Sequence, residues 1–143
     1  RPWQHVLEPL SGYLALGASL EMNRKNHAAS FNFGPRAEQD IPVRDLLVDL
    51  GRHWDIADAE EVYRVTDFVP FNEAGLLKLN CDKAQHALKW RATLEYAETI
   101  EFVSKWYREY YAGETEMVEY TRAQIRAYQD LAKGRNLPWA DEG

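Results

Sequence analysis

The sequence has 143 residues, the size of one domain, and its 45% hydrophobic and 28% charged residues are typical of a folded protein. A net charge of -6 without any run of basic residues makes the chain a poor candidate for binding a nucleic-acid backbone, and the single cysteine, Cys81, excludes an internal disulfide and a multi-thiolate zinc site. No apolar run reaches the ~20 residues of a membrane span. We therefore expect no nucleic-acid, membrane or metal partner, and a location in the reducing cytoplasm.

The first half of the chain predicts two helices and two short strands. Pro9 suits the first turn of a helix, and apolar residues at helical spacing predict that helix over residues 8–22. Residues 30–33 alternate and predict a strand that a Gly-Pro pair ends. A second proline-initiated helix is predicted over residues 42–51, followed by a strand over residues 61–65.

The second half predicts one more strand and three helices. A very short strand at residues 76–79 precedes a short helix for which Asn80 or Asp82 is the predicted cap. Thr93 is the predicted cap of the next helix, which Gly113 ends.

The last helix is predicted from a capping box at residues 121–124 and ends near Gly134. The tyrosines of residues 96–111 are interpreted as core. The predicted fold class is an α/β fragment, mostly helical with a few short strands, which are too few for an independent sheet.

None of the common catalytic motifs occurs in the sequence. There is no Gly-x-Gly-x-x-Gly turn, no Gly-x-x-x-x-Gly-Lys loop, no Gly-x-Ser-x-Gly turn, no His-Glu-x-x-His and no Tyr-x-x-x-Lys pair. The residues therefore predict no catalytic group and no metal site in this chain. Because the sequence begins with Arg1 rather than methionine, we expect it to be cut from a longer protein.

Three blocks, in order, resemble the C-terminal part of the CDP-glucose 4,6-dehydratases, which are extended short-chain dehydrogenases of the Rossmann type. Residues 1–14 contain Arg-Pro-Trp-Gln-His-Val followed by Glu-Pro-Leu, and residues 31–35 read Phe-Asn-Phe-Gly-Pro. Residues 72–84 are similar to the family's His-Glu-Ala-x-Tyr-Leu-Lys-Leu-Asp-Cys-Ser-Lys-Ala. Leu-Lys-Trp at 88–90 and Met-Val-Glu-Tyr-Thr at 117–121 extend the resemblance over nearly the whole chain.

The departures from the family pattern affect the substrate more than the fold. They are Asn72 for His, Leu76 for Tyr, Asn80 for Asp, Asp82 for Ser, Lys89 for Gly and Ala92 for Pro.

The resemblance implies that residues 1–143 are the substrate-binding portion of an enzyme whose N-terminal, NAD-binding Rossmann half is absent. The whole enzyme would oxidise C4 of CDP-glucose with NAD, eliminate water across C5 and C6, and return hydride to C6 to give CDP-4-keto-6-deoxyglucose. It would be a homo-oligomeric lyase of polysaccharide biosynthesis. This chain alone would be inactive and would bind no NAD.

Four residues carry the predicted substrate contacts. Arg1 matches the family arginine near the substrate's phosphates, where a guanidinium can grip a pyrophosphate. Gln4 would orient the loop after Arg1. Glu73 would accept hydrogen bonds from ribose hydroxyls or a cytosine amino group, or else serve as a turn cap. Lys78 would pair with phosphate, or else be a solvated surface lysine.

Two alternatives remain open at this point. The first is another nucleotide-sugar dehydratase or epimerase, which the residues near 70–78 would decide. The second is a non-enzymatic helical interaction module with the helix over 121–133 and the aromatic face as partner surfaces. Its sign would be a stable monomeric fold that buries all of its aromatic residues and has no open sheet edge.

Overall fold

The computed structural model describes residues 1–22, 26–36, 41–56, 58–66 and 78–140. The elements in chain order are α1 (Leu7–Met22), α2 (Val43–Arg52), α3 (Ala59–Val62), α4 (Asp82–Leu88), α5 (Tyr96–Ala112), α6 (Met117–Gly134) and a 3-10 turn (Pro138–Ala140). α1 packs on α4, α2 packs on α3 and α5, and α6 packs on α5 and the 3-10 turn. Within the described ranges, no helix combines the length and the apolar character that a membrane crossing requires.

Helical periodicity located most of these helices correctly. The predictions over residues 8–22 and 42–51 are confirmed by α1 and α2, and the short helix predicted from Asp82 is α4. Gly113 follows α5 with a φ of 72°, a left-handed conformation that glycine adopts without strain, so it ends the helix as predicted. Gly134 is the last residue of α6.

The predicted N-terminal caps were wrong: Cys81 is the N-cap residue of α4, and glutamates are the N-cap residues of α5 and α6. α5 begins after Glu95, whose backbone N–H donates to the side chain of Glu98 at 2.8 Å. α6 begins four residues before the predicted box, and its N-cap Glu116 accepts hydrogen bonds from Val118 N and from the following amide. A carboxylate satisfies free N–H groups and also complements the helix dipole, so it replaces a hydroxyl cap readily.

The predicted α/β fold class is wrong for the described residues, among which the structure contains helices and no strand. Residues 30–33 form no ladder, residues 61–62 end α3, and residues 63–65 and 78–79 lie in irregular segments, while 76–77 fall outside the described ranges. A strand exists only where a neighbouring segment completes its hydrogen bonds. The alternation of polar and apolar residues over 30–33 reflects packing instead. Phe33 is buried, and its ring centroid lies 4.9 Å from that of Trp90 in an edge-on arrangement.

The core sits between α1, α4 and the segment before α5. Phe33, Ala84 and Trp90 form its buried centre. Gly12 of α1 lies against the ring of Phe33, and a Cβ at that position would overlap the ring. The prediction that the tyrosines of α5 are core was wrong at its C-terminal end, where Tyr107, Tyr110 and Tyr111 are exposed.

Candidate functional site

A cavity of about 640 Å³ opens beside the first half of α4. Its walls come from residues 34–36, residues 78–82 and residues 90–92, with Gln85 of α4. The first two stretches overlap the sequence blocks at residues 31–35 and 72–84 that carry the family resemblance. The third begins at Trp90, the last residue of the similar segment at residues 88–90. The cavity is therefore the place where separate parts of that resemblance meet in space.

The lining of this cavity is cationic although the chain as a whole carries a charge of -6. Three of its residues are basic, Arg36, Lys78 and Arg91, against one acidic residue, Asp82. The Arg36 guanidinium pairs with Glu95 at 3.1 Å. Lys78 and Arg91 are exposed, and within the described ranges neither has a hydrogen-bond or ion-pair partner. Both charges are therefore available to an anionic ligand.

The Arg91 side of the cavity is held in place by a buried carboxylate. Glu8 of α1 is 1% exposed and accepts hydrogen bonds from Thr93 N at 2.9 Å and from Leu94 N at 2.7 Å. Arg135, just beyond α6, donates to the Thr93 carbonyl and to Glu98. Because these bonds fix backbone atoms two or three residues after Arg91, they position the wall of the cavity.

A second group of polar contacts secures the same wall from inside. Trp90 donates its indole N–H to Ser11 Oγ at 2.9 Å, and Tyr128 of α6 lies 3.0 Å from the same hydroxyl. Burial raises the pKa of the Glu8 carboxyl, while the hydrogen bonds from Leu94, Thr93 and Tyr128 and the charge of Arg135 oppose that rise. The network is thus a positioning device whose members lie away from solvent.

The four predicted substrate contacts do not come together in this cavity. Lys78 lines it, and its contact with phosphate stays a prediction. Arg1 and Gln4 are not among its lining residues: the Arg1 ammonium donates to Ile41 O at 3.1 Å, and the Gln4 amide donates to Phe33 O at 3.1 Å. Glu73 lies outside the described residues. Gln4 therefore braces the segment that leads into the cavity wall, and its role in orienting the loop after Arg1 stays a prediction.

Three residues of the site were not predicted from the sequence. They are Arg36 and Arg91, the two guanidinium groups of the cavity, and Glu8, the buried carboxylate behind its wall. A usable signal was present, because Arg36 directly follows the block at residues 31–35 and Arg91 directly follows residues 88–90. Glu8 lies within the block at residues 1–14, and no role of its own was predicted for it. Its role could not be read from local sequence, since its partners lie 85 to 120 positions away.

The sequence lacks the turn that holds the pyrophosphate of NAD in dinucleotide-binding folds. A dinucleotide needs free backbone N–H groups at a glycine-rich helix N-terminus. The sequence has no such turn, and at α5 and α6 the side chains of Glu95, Glu98 and Glu116 already accept from the N-terminal amides. In the described part of the chain, no group of three or more His, Cys, Asp or Glu residues could hold a metal ion. Burial raises the pKa of the Cys81 thiol, which disfavours the reactive thiolate.

No protein-family model matches the sequence. A CDP-glucose 4,6-dehydratase from Salmonella typhimurium is 34% identical to this chain over 128 residues, which is 90% of this chain and 34% of that protein. The chain thus spans about a third of the length of this curated relative. The resemblance carried by residues 1–14, 31–35 and 72–84 is confirmed: over nearly all of its own length, this chain is similar to a CDP-glucose 4,6-dehydratase.

Proposed function

We propose that residues 1–143 are the C-terminal, substrate-binding portion of a longer NAD-dependent enzyme, a CDP-glucose 4,6-dehydratase that forms CDP-4-keto-6-deoxyglucose. The observation that carries the proposal is the cationic cavity with two unpaired charges, Lys78 and Arg91. The similarity to a dehydratase about three times as long supports it. NAD and the catalytic residues belong, in this proposal, to the part of the longer protein that has no counterpart here.

The diphosphate of a nucleotide sugar is the ligand group that suits this cavity. It carries two negative charges on neighbouring phosphates, and a guanidinium such as Arg91 can bind two phosphate oxygens at once. Lys78, on the stretch at residues 78–82, adds a compact charge that does not require a fixed orientation. Arg36 would add a third contact by exchanging part of its pairing with Glu95.

The neutral polar groups of the cavity suit the rest of the nucleotide. Gln85 and Asn80 both line it and can donate and accept hydrogen bonds, as a cytosine edge or a ribose requires. Glu73, five positions before Lys78, remains a predicted contact to ribose or base. Arg1, three positions before Gln4, remains a predicted phosphate contact of the complete substrate site.

Calorimetry with CDP and the full-length protein tests the proposal. We expect Arg91→Ala to weaken CDP binding about tenfold, which is the loss of one charge-assisted phosphate contact of about 1.4 kcal/mol. The matched control is Arg126→Ala, since Arg126 of α6 is also exposed and without a described partner but lies outside the cavity. An equal effect of the two substitutions, or no CDP binding by the full-length protein, would overturn the assignment.

The same experiment separates the alternatives. Tighter binding of UDP or GDP than of CDP would indicate another nucleotide-sugar dehydratase or epimerase. Absence of binding to any nucleotide would favour an interaction module, although the aromatic part of its expected sign is not met, because Trp54 and Tyr111 among other aromatic residues are exposed. A cytoplasmic location and a homo-oligomeric whole enzyme remain parts of the proposal, which fractionation and sedimentation of the full-length protein would test.

A further inference from the structure

A further cavity adjoins the cationic cavity at the C-terminal end of α4, and we name it the second cavity. It encloses about 480 Å³ between α4 and the residues that follow α6, and Pro138 is the apolar member of an otherwise polar lining. Asp82, Gln85 and Arg91 line both cavities. Sites for large or aromatic ligands are lined mainly by apolar side chains, so a polar lining suits a small hydrophilic ligand.

Positive charge dominates the second cavity. Lys89, Arg91 and His86 are exposed, and within the described residues their side chains have no hydrogen-bond or ion-pair partner. The acidic residue of this lining, Asp82, accepts a hydrogen bond from the Asn80 side chain at 3.2 Å. In a chain with a net charge of -6, unpaired cations that line one polar cavity indicate an anionic ligand.

Lys89 occupies its place in this cavity with an unfavourable backbone conformation. It follows α4 with a φ of 54° and a ψ of 19°, in the left-handed region that glycine adopts freely and a residue with a Cβ does not. Asn136, which also lines the cavity, has a φ of 51°, but asparagine tolerates this conformation. Lysine lacks that tolerance, and a strained residue at a cavity points to a functional role.

The charge of Lys89 is not required to complete the end of α4. Basic side chains near a helix C-terminus often serve its last carbonyl groups. Here the backbone N–H of Lys89 donates to Ala84 O, and at the end of α6 Leu137 N donates to Ala132 O at 3.0 Å. Backbone groups thus satisfy carbonyls at both helix ends, and the ammonium of Lys89 is available to a ligand.

We propose that the second cavity binds a phosphate group, either inorganic phosphate or the phosphate of a small hydrophilic molecule such as a sugar phosphate. A phosphate monoester carries about two negative charges at neutral pH, which Lys89 and Arg91 balance. The guanidinium of Arg91 can bind two phosphate oxygens, and the amides of Gln85 and Asn136 can donate to a third.

The second cavity and the cationic cavity are coupled through Arg91, because this residue lines both. One guanidinium cannot give its full set of donors to two phosphate groups, so a ligand in either cavity weakens binding in the other by the same factor. This coupling rests on the proposed function of the cationic cavity, whereas the phosphate site itself does not.

Lysine acetylation tests the site in the unsubstituted full-length protein. We expect inorganic phosphate to slow the reaction of Lys89 with acetic anhydride several-fold, as measured by mass spectrometry of its peptides. The matched control is Lys133 at the end of α6, which is exposed, has no described side-chain partner and lines neither cavity. Lys78 reports separately on phosphate that enters the cationic cavity. Stronger protection of Lys89 by glucose 6-phosphate than by inorganic phosphate would identify a sugar phosphate as the ligand, and equal protection would identify phosphate alone.

Two results of the acetylation experiment would overturn the site. The first is equal protection of Lys89 and Lys133, which would reflect general screening of charge by salt. The second is protection of Lys89 by sodium acetate, at the same ionic strength, that equals the protection by phosphate.

Lys89→Gly gives a second measurement, and it removes the backbone strain, so the variant should melt at the same temperature as the natural chain or higher. His86 lines the second cavity and not the cationic one, and phosphate should protect its ring from diethyl pyrocarbonate. In the variant, the same protection should need about ten times more phosphate. Unchanged protection of His86 in the variant would contradict the site.

The acetylation of Lys78 and Lys89 also separates this inference from the proposed function. Protection of Lys89 by phosphate without any effect of CDP on Lys78 would support the second site and count against the proposed function. Protection of Lys78 by CDP without any effect of phosphate on Lys89 would do the reverse. When both occur, CDP should raise the phosphate concentration that protects Lys89, and an unchanged concentration would overturn the coupling.

Discussion

The phenol of Tyr128 donates a hydrogen bond to the carboxylate of Glu8 at 2.9 Å, across 120 positions of the sequence. The contact joins the last long helix, α6, to the first turn of α1. Burial and the neighbouring carboxylate both raise the pKa of Tyr128, so the phenol stays protonated and keeps donating. The same carboxylate holds the backbone before α5, and the pair therefore links both ends of the chain to the wall of the cationic cavity.

Replacing Glu8 should destabilise the fold in proportion to the hydrogen bonds that are lost. Glu8→Ala leaves the amides of Thr93 and Leu94 and the phenol of Tyr128 without their acceptor, and we expect a loss of about 3 kcal/mol or more in the free energy of unfolding. Glu8→Gln keeps one acceptor oxygen and should cost less than half as much. Urea unfolding measures both, and equal stabilities of the two variants would contradict a hydrogen-bonding role.

The ionisation of Glu8 should leave a signature in the pH dependence of stability. Burial raises the folded-state pKa of Glu8 above its unfolded value, so between the two values the native state binds more protons than the unfolded state. The contribution of Glu8 is then greatest below the unfolded pKa and falls as pH rises through the folded pKa. Urea unfolding from pH 4 to 7 should show the stability of the natural chain falling relative to Glu8→Gln. A rise in the stability of the natural chain relative to Glu8→Gln over this range would mean that the hydrogen bonds lower the pKa of Glu8 more than burial raises it.

Two glycines of α1 should respond oppositely to the same substitution. Gly12→Ala places a methyl group into the ring of Phe33, and we expect a loss of about 1–3 kcal/mol from overpacking. Gly17→Ala meets nothing within 4 Å on an exposed helix face, and the better helix propensity of alanine should add up to about 1 kcal/mol. Thermal unfolding of both variants measures the difference. Similar losses at the two positions would contradict the packing of α1 on Phe33.

Residues 1–143 alone should not bind NAD. The sequence has no glycine-rich turn, and glutamate side chains already accept from the N-terminal amides of α5 and α6. Calorimetry with NAD should therefore give no heat of binding. Tight NAD binding by the isolated chain would contradict the assignment of the cofactor to another part of the longer protein.

The sequence alone determined features that depend on neighbours along the chain. Helical spacing located α1, α2 and α4, because a 3.6-residue period is a local property. Gly113 was found as a helix end for the same reason, since a left-handed backbone favours glycine whatever surrounds it. The family resemblance was also readable, because it rests on contiguous blocks of residues.

Only the tertiary structure decided features that depend on distant contacts. Residues 30–33 have the pattern of a strand, but their apolar side chains pack against Trp90 and no segment pairs with them in the described chain. The apolar face of α1 that carries Leu10, Tyr13 and Leu14 is exposed, which the sequence could not tell, since periodicity gives the faces of a helix and not which face is covered. Arg36 and Arg91 are 55 positions apart and line one cavity, and Glu8 and Arg135 hold the backbone just after Arg91 against α1 and α6.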